Sequence, residues 1–346
     1  MGRSVAIPGR GRAARAGGVA LLLAAACLAG AARGAEESPA EKAERLQVLS
    51  ARGDAAATYE LGTMREKGLG GRVDPEAALQ CYLEAARQGN ADALFRVSKL
   101  YRGGQWLERD EAKANALFLQ AVEGGCGDAQ YQHSKMLERE GDAGGALKWL
   151  KASAKNGSAE GQFELAEMYE TGRRVGKDFA EAAKLYRAGA EGGNPEAQFR
   201  YAQMLESGDG VGRNEAAALA WYRKAGEAGL AGAQLWLGET YGRGRTVERD
   251  LLESAKWYRM AAEQGNATGQ KELGRMYAYG LGVDRDPREA LRWRKLAAEQ
   301  GDAEAQYVLG VMYEMGAGTP ADPEEAQRWY RKAAAQGDPT AAVLAR

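Results

Sequence analysis

GQKELGRMYAYGLGV, residues 269–283, decides the fold, because close copies of it stand at ATYELGTMREKGLG (57–70), GQFELAEMYETG (161–172) and AQYVLGVMYEMGAG (305–318). A second word recurs between them, as in AWYRKAGEAG (220–229), KWYRMAAEQG (256–265) and RWYRKAAAQG (328–337). The glycine ending that second word falls at Gly53, Gly89, Gly125, Gly157, Gly193, Gly229, Gly265, Gly301 and Gly337. Seven of the eight intervals are 36 residues, and the third is 32. Self-similarity at this period signals stacked units, each too small to bury its apolar face alone. It overrides the two domains that 346 residues would suggest at about 150 residues per domain.

Each unit reads as two helices. Counted from the anchor glycine, an aromatic stands at +6 in six of eight units, as in Tyr59, Phe95, Phe163 and Tyr307. Leu is commonest at +8, a small residue fills +9, Met or Leu mostly fills +11, and Tyr is usual at +12. At about 100° per residue these positions share one broad face. Glycine at +15 in seven units, from Gly68 to Gly316, ends this first helix by entering the left-handed region without a Cβ penalty. Asp or Asn at +21 (Asp74, Asp110, Asp178, Asn214, Asp250, Asp286, Asp322) then suits an N-cap. Pro75, Pro287 and Pro323 follow at N1, and Glu181, Glu253, Glu289 and Glu325 at N3. The second helix carries Ala, Trp or Leu, Tyr and an Ala pair at +25, +28, +29, +32 and +33, an amphipathic stripe.

This periodicity explains a composition that otherwise looks contradictory. The 47 Gly and 69 Ala make up one third of the chain, although glycine weakens the helices that alanine favours. Short alanine-rich helices punctuated by glycine reconcile the two. Collagen is excluded by 8 Pro and the lack of a three-residue glycine period. An apolar content of 45%, with 7 Trp and 15 Tyr, argues against disorder.

The recurring words LGxMYxxGxGV, D, A and WYxxAAxxG resemble Sel1-like repeats, relatives of the tetratricopeptide repeat with a longer loop. The resemblance covers about residues 53–337. It implies an all-α, right-handed α/α superhelical solenoid of about eight helix-turn-helix units, used as an adaptor or scaffold and often exported in bacteria. It implies no common catalytic residue. The units are read as 53–88, 89–124, 125–156, 157–192, 193–228, 229–264, 265–300 and 301–337. Repeat 2 departs in its turn, GGQWLERD, and repeat 3 lacks four turn residues (EREGDAGG).

The ends differ from the repeats. Residues 1–34 hold five Arg, no acid and the apolar run VALLLAAACLAGAA, which matches a secretory signal peptide. Cys27 after three alanines weakly resembles a bacterial lipobox, and an Arg-rich, acid-free leader also suits mitochondrial targeting. The expected location is the bacterial periplasm, with membrane association only if Cys27 is lipidated. Without residues 1–34 the chain has 42 basic and 48 acidic residues, a charge of −6, which gives no support to nucleic-acid binding. Residues 35–52 are expected to form a capping helix opened by the capping box Ser38-Pro39-Ala40-Glu41. Residues 338–346 begin a further partial helix, a thin cap that suggests self-association there.

The search for chemistry is nearly empty. There is no GxGxxG, P-loop, HExxH, CxxC or SxxK, and no cofactor or metal site is expected. His133, the sole histidine, falls in the apolar +8 column and reads as a packing residue. Cys81 takes the +28 position of Trp and Cys126 a turn, so both are expected as free thiols. Trp106 is read as a plug for its own loop. A catalytic reading is therefore disfavoured.

A binding surface, if present, is expected on the first helix of each unit. Positions +3, +7, +10 and +14 lie opposite the apolar face, and in Sel1-like solenoids this helix resembles the lining of the concave surface. In repeats 1 to 5 the +7 and +10 positions are polar, but from repeat 6 onward the face offers Trp236, Arg243, Arg275, Tyr279, Val308, Val311 and Met315. Aromatic, Met and Arg side chains are favoured at protein interfaces. These seven are the candidate contacts for a protein or peptide partner; packing against the terminal segment is the competing reading. The expected function is a non-enzymatic envelope scaffold. The alternatives are a β-lactamase-like or other cell-wall hydrolase and a periplasmic regulator of a membrane sensor.

Overall fold

The computed structural model describes residues 37–104 and 106–345; the leader reading, with Cys27, lies outside them. The chain divides into two units, Met1–Asn156 and Gly157–Arg346. Among the described residues every regular element is a helix.

The first unit holds α1 (Pro39–Ala51), α2 (Ala55–Lys67), α3 (Pro75–Arg87), α4 (Ala91–Gly103), α5 (Glu111–Glu123), α6 (Gly127–Glu140) and α7 (Ala143–Lys155). The second holds α8 (Ala159–Thr171), α9 (Phe179–Glu191), α10 (Pro195–Ser207), α11 (Glu215–Glu227), α12 (Ala231–Arg243) and α13 (Leu251–Glu263). It continues with α14 (Ala267–Tyr279), α15 (Pro287–Glu299), α16 (Ala303–Met315), α17 (Pro323–Ala335) and α18 (Pro339–Leu344). Within each unit the helices pack chiefly on their neighbours in sequence, the arrangement of a solenoid.

Local chemistry sets the helix boundaries. All seven Asp or Asn residues at +21 are N-caps whose side chains accept from backbone N–H groups one turn on. The backbone of the same residue pins the turn: the Asp286 N–H donates to the Tyr277 carbonyl at 3.0 Å, and Asp322 to Tyr313 at 2.9 Å. In repeat 3 the shortened turn passes from Gly141 directly to the N-cap Asp142. A second cap follows seven of the nine anchor glycines, at Asp54, Asn90, Ser158, Asn194, Asn266, Asp302 and Asp338. Cys126 and Leu230 hold that place without a side-chain cap bond. At the start, Ser38 and Glu41 form a reciprocal capping box on α1.

Alanine and glycine let the helices approach, and larger side chains fill what remains. Ala78, Ala182, Ala218, Ala290 and Ala326 at +25 are buried, as are Leu237, Leu273 and Leu309 at +8 and Trp257, Trp293 and Trp329 at +28. The glycine at +17 marks the tightest approach between repeats: a Cβ on Gly282 would lie 1.9 Å from the Leu251 carbonyl oxygen at the start of α13. Only a residue without a side chain fits there.

A glutamine clasp fastens successive repeats. Gln270 is buried, donates from Nε2 to the Ala262 carbonyl at 3.3 Å, and accepts at Oε1 from Gln300 at 2.8 Å. Gln234 repeats the pattern with Gly226 and Gln264, and Gln306 with Ala298 and Gln336. Each clasp adds a second donor to a carbonyl in the last turn of a helix, which already accepts from the N–H of the anchor glycine, Gly229, Gly265 or Gly301.

Candidate interaction face along the first helices of repeats 6 to 8

A tyrosine from the second helix forms the floor of the cleft between repeats. The residue at +29 donates from its hydroxyl to a glutamate sixteen residues earlier: Tyr82 to Glu66 at 2.6 Å, Tyr186 to Glu170 at 2.5 Å, Tyr222 to Glu206 at 2.8 Å and Tyr330 to Glu314 at 2.7 Å. In two of these joints the side chain at +7 of the following repeat lies over that ring, Arg96 over Tyr82 and Trp236 over Tyr222. The Arg96 guanidinium sits 5.6 Å from the Tyr82 centroid and also pairs with Glu66. The resulting cleft, about 350 Å³, is bordered by Glu66, Tyr82, Arg96 and Lys99. Burial, then the hydrogen bond to Glu66, pushes the Tyr82 hydroxyl up to about 12.

In repeats 6 to 8, all within the second unit, the seven expected contacts divide into four groups. Trp236 on α12 is half-buried and stacked on Tyr222. Arg243 pairs with Glu239 at 2.7 Å, and Arg275 on α14 pairs with Glu272 at 2.8 Å. Both pairs are close enough to Tyr258 to act on its hydroxyl, which burial first, and then Glu272 and Glu239, raise to about 12 against the two arginines. Tyr279 and Met315 hold the same +14 position one repeat apart, at the ends of α14 and α16, and are 72% and 76% exposed. Val308 and Val311 on α16 are half-buried. Arg243 and Arg275 thus both act on the Tyr258 hydroxyl, and Trp236 is seated on the ring of Tyr222.

One residue of this face escaped the sequence reading because it sits on a second helix. Arg294 of α15 holds the +29 place of tyrosine and is only 5% exposed. The signal was available as a charge inside an otherwise apolar stripe.

The remaining chemical side chains are embedded in packing. His133 lies edge-on to Phe118 and Trp149, with centroids 6.3 and 5.3 Å away. Cys81 and Cys126 are buried and free, and burial raises the Cys126 thiol to about 12. Trp106 packs on the cluster around Tyr82, with Arg96 over its ring at 5.8 Å. Among the described residues no group of His, Cys, Asp and Glu is arranged to hold a metal. No described helix is long and apolar enough to cross a membrane.

The family model of the Sel1 repeat matches eight times, at 55–90, 91–126, 127–158, 159–194, 195–230, 231–266, 267–302 and 303–338. These intervals begin two residues after the anchor glycines. Two solved structures are similar over most of the chain. A protective antigen present in uropathogenic Escherichia coli strains, displaying an SLR fold, is 32% identical with a TM-score of 0.63; the match covers 88% of this chain and 66% of that one. This chain thus spans just under two thirds of that antigen. The Sel1 repeat protein from Oxalobacter formigenes is 27% identical with a TM-score of 0.54, covering 87% and 88%. With eight matched repeats spanning residues 55–338, the chain belongs to the Sel1 repeat family.

Proposed function

We propose that this protein is an exported, non-enzymatic scaffold that docks a peptide or protein segment along the first helices of repeats 6 to 8. Sel1 repeat proteins generally mediate protein–protein interaction and are typically non-enzymatic. The observation that carries the reading is the exposure of Tyr279 and Met315 at one repeat position, with Arg243 at the same position of repeat 6, whose exposed ion pair with Glu239 is weak enough to exchange for a partner's carboxylate. Such side chains stay solvated at a cost that an interface removes. The bacterial envelope is the proposed location, on the strength of the leader.

A photo-crosslinking residue in place of Tyr279, compared with one in place of the exposed Leu252 on α13, tests the reading. With envelope extract from the source cell, a discrete adduct is expected at 279, diminished by Arg243→Ala with Arg275→Ala and not seen at 252. Equal labelling at both sites, or none at 279, overturns it.

A further inference from the structure

Repeat 7 inverts the chemistry of the cleft floor. Where repeats 1, 4, 5 and 8 pair a tyrosine with a glutamate sixteen residues earlier, it has Arg294 and Ala278. Arg294 follows the path of the missing ring. A Cβ on Gly274 would meet its Cγ at 3.0 Å and Cδ at 3.3 Å, just as a Cβ on Gly310 would meet the Tyr330 ring at 2.6 Å. The guanidinium is therefore directed toward the place that the tyrosine hydroxyl takes in the other repeats, and its Nη1 is buried without a hydrogen-bond partner.

The surrounding acids are already engaged. Glu304, Glu272 and Asp302 lie near enough to act on Arg294. Yet Glu272 pairs with Arg275 at 2.8 Å, and Glu304 and Asp302 with Lys271 at 2.9 and 3.5 Å. Asp302 also accepts from the Ala305 N–H as the cap of α16. The three places that supply charge to the first cleft, Glu66, Arg96 and Lys99, are Ala278, Val308 and Val311 here. A buried guanidinium stays charged and needs an acceptor, and these three side chains have none to give.

We infer that Arg294 is the seat for a carboxylate presented by a docked polypeptide, with Val308 and Val311 flanking it. The size and chemistry of the ligand come from the molecule itself, since repeats 1, 4, 5 and 8 hold a glutamate carboxylate at the corresponding place. The inference rests on the docking reading above and names the group such a partner must carry, whether a C-terminal carboxylate or an acidic side chain.

Sodium acetate tests the seat without a peptide. The Arg294 Nε–H resonance, assigned by its loss in Arg294→Met, is expected to move saturably with acetate and to stay still in chloride at equal ionic strength. Ala278→Glu supplies the carboxylate from α14, so it should abolish that response and raise the melting temperature by a few degrees. A resonance that ignores acetate, leaving water as the acceptor, or a response that survives Ala278→Glu, overturns the seat. Hexapeptide pools with a free or amidated C-terminus, with and without an internal Glu, then identify the source, and Arg294→Met should weaken the preferred pool about tenfold. Pools that bind wild type and Arg294→Met equally remove the seat and leave docking standing. Acetate binding with no pool bound upholds the seat and removes docking.

Discussion

The indole of Trp236 lies flat on the ring of Tyr222, their centroids 3.7 Å apart and their planes inclined by 21°. The Tyr222 hydroxyl is held at the same time by Glu206 at 2.8 Å. One side chain of repeat 6 thus covers a floor built entirely by repeat 5. Trp236 therefore seals the joint between these neighbouring repeats while remaining only half-buried.

Trp236→Ala consequently falls between the cost expected for an exposed anchor and that for a core residue. Full truncation of a buried Trp costs about 3–5 kcal/mol, and an aromatic pair adds about 0.5–1.5 kcal/mol beyond its area. For this half-buried ring a loss of about 2 kcal/mol is expected, read from urea unfolding. Trp236→Phe should recover most of it. A change below about 0.5 kcal/mol would mean that the stack does not hold the joint.

The glutamine clasp at Gln198 is incomplete, and completing it should stabilise the protein. Gln198 donates to the Ala190 carbonyl at 3.2 Å, but its Oε1 is buried without a partner. In the clasps at Gln234, Gln270 and Gln306, the residue thirty positions later is a glutamine that donates to this oxygen. After Gln198 that position is the exposed Ala228. Ala228→Gln is expected to gain about 1 kcal/mol. The matching loss from Gln300→Ala should be of similar size, and an unchanged unfolding midpoint in both variants would refute the clasp as a stabilising device.

Most of the fold was legible because it is written in local chemistry that repeats. Asp286, Pro287 and Glu289 announce a helix start by themselves, and Gly280 announces a stop; eight copies turn a weak signal into a strong one. The joints were less legible. Gln270 and Gln300 recur visibly, yet nothing in either says that the first reaches a carbonyl of the preceding helix while the second closes on it. Arg294 was missed for a related reason: on a helical wheel it is a flaw in an apolar stripe, and only the placement of Tyr330 and Tyr222 shows that this stripe emerges onto the cleft floor. Trp236, Tyr279 and Met315 were visible as a change in the character of one face, but their unequal exposure depends on which ring lies beneath them.

Small residues at +9 should resist enlargement wherever an aromatic ring crosses them. A Cβ on Gly310 would stand 2.6 Å from two ring carbons of Tyr330 and 3.2 Å from the Ala326 carbonyl oxygen. Gly310→Ala is expected to cost about 1–3 kcal/mol through overpacking. Gly71→Ala, where a Cβ meets nothing within 4 Å, should be neutral or stabilise by about 0.4–1 kcal/mol. Thermal unfolding of the two variants side by side separates packing from backbone effects, and equal shifts would contradict the close approach.

Alkaline pH should loosen the repeats through their tyrosines. Tyr82, Tyr186, Tyr222 and Tyr330 all have hydroxyls held above the ordinary range, first by burial and then by hydrogen bonding to a glutamate. In the unfolded chain these groups lose their protons from about pH 10, whereas folded Tyr82 keeps its proton to about 12. Over that interval the folded state binds more protons, so stability present below pH 10 falls as pH rises. Urea midpoints measured from about pH 8 to 11.5 should therefore decline above pH 10. Tyr222→Phe removes one titrating group, and its decline should be shallower, although it starts from lower stability because Glu206 loses its donor. Parallel curves for wild type and Tyr222→Phe would show that the phenol–carboxylate pairs do not govern the alkaline limit.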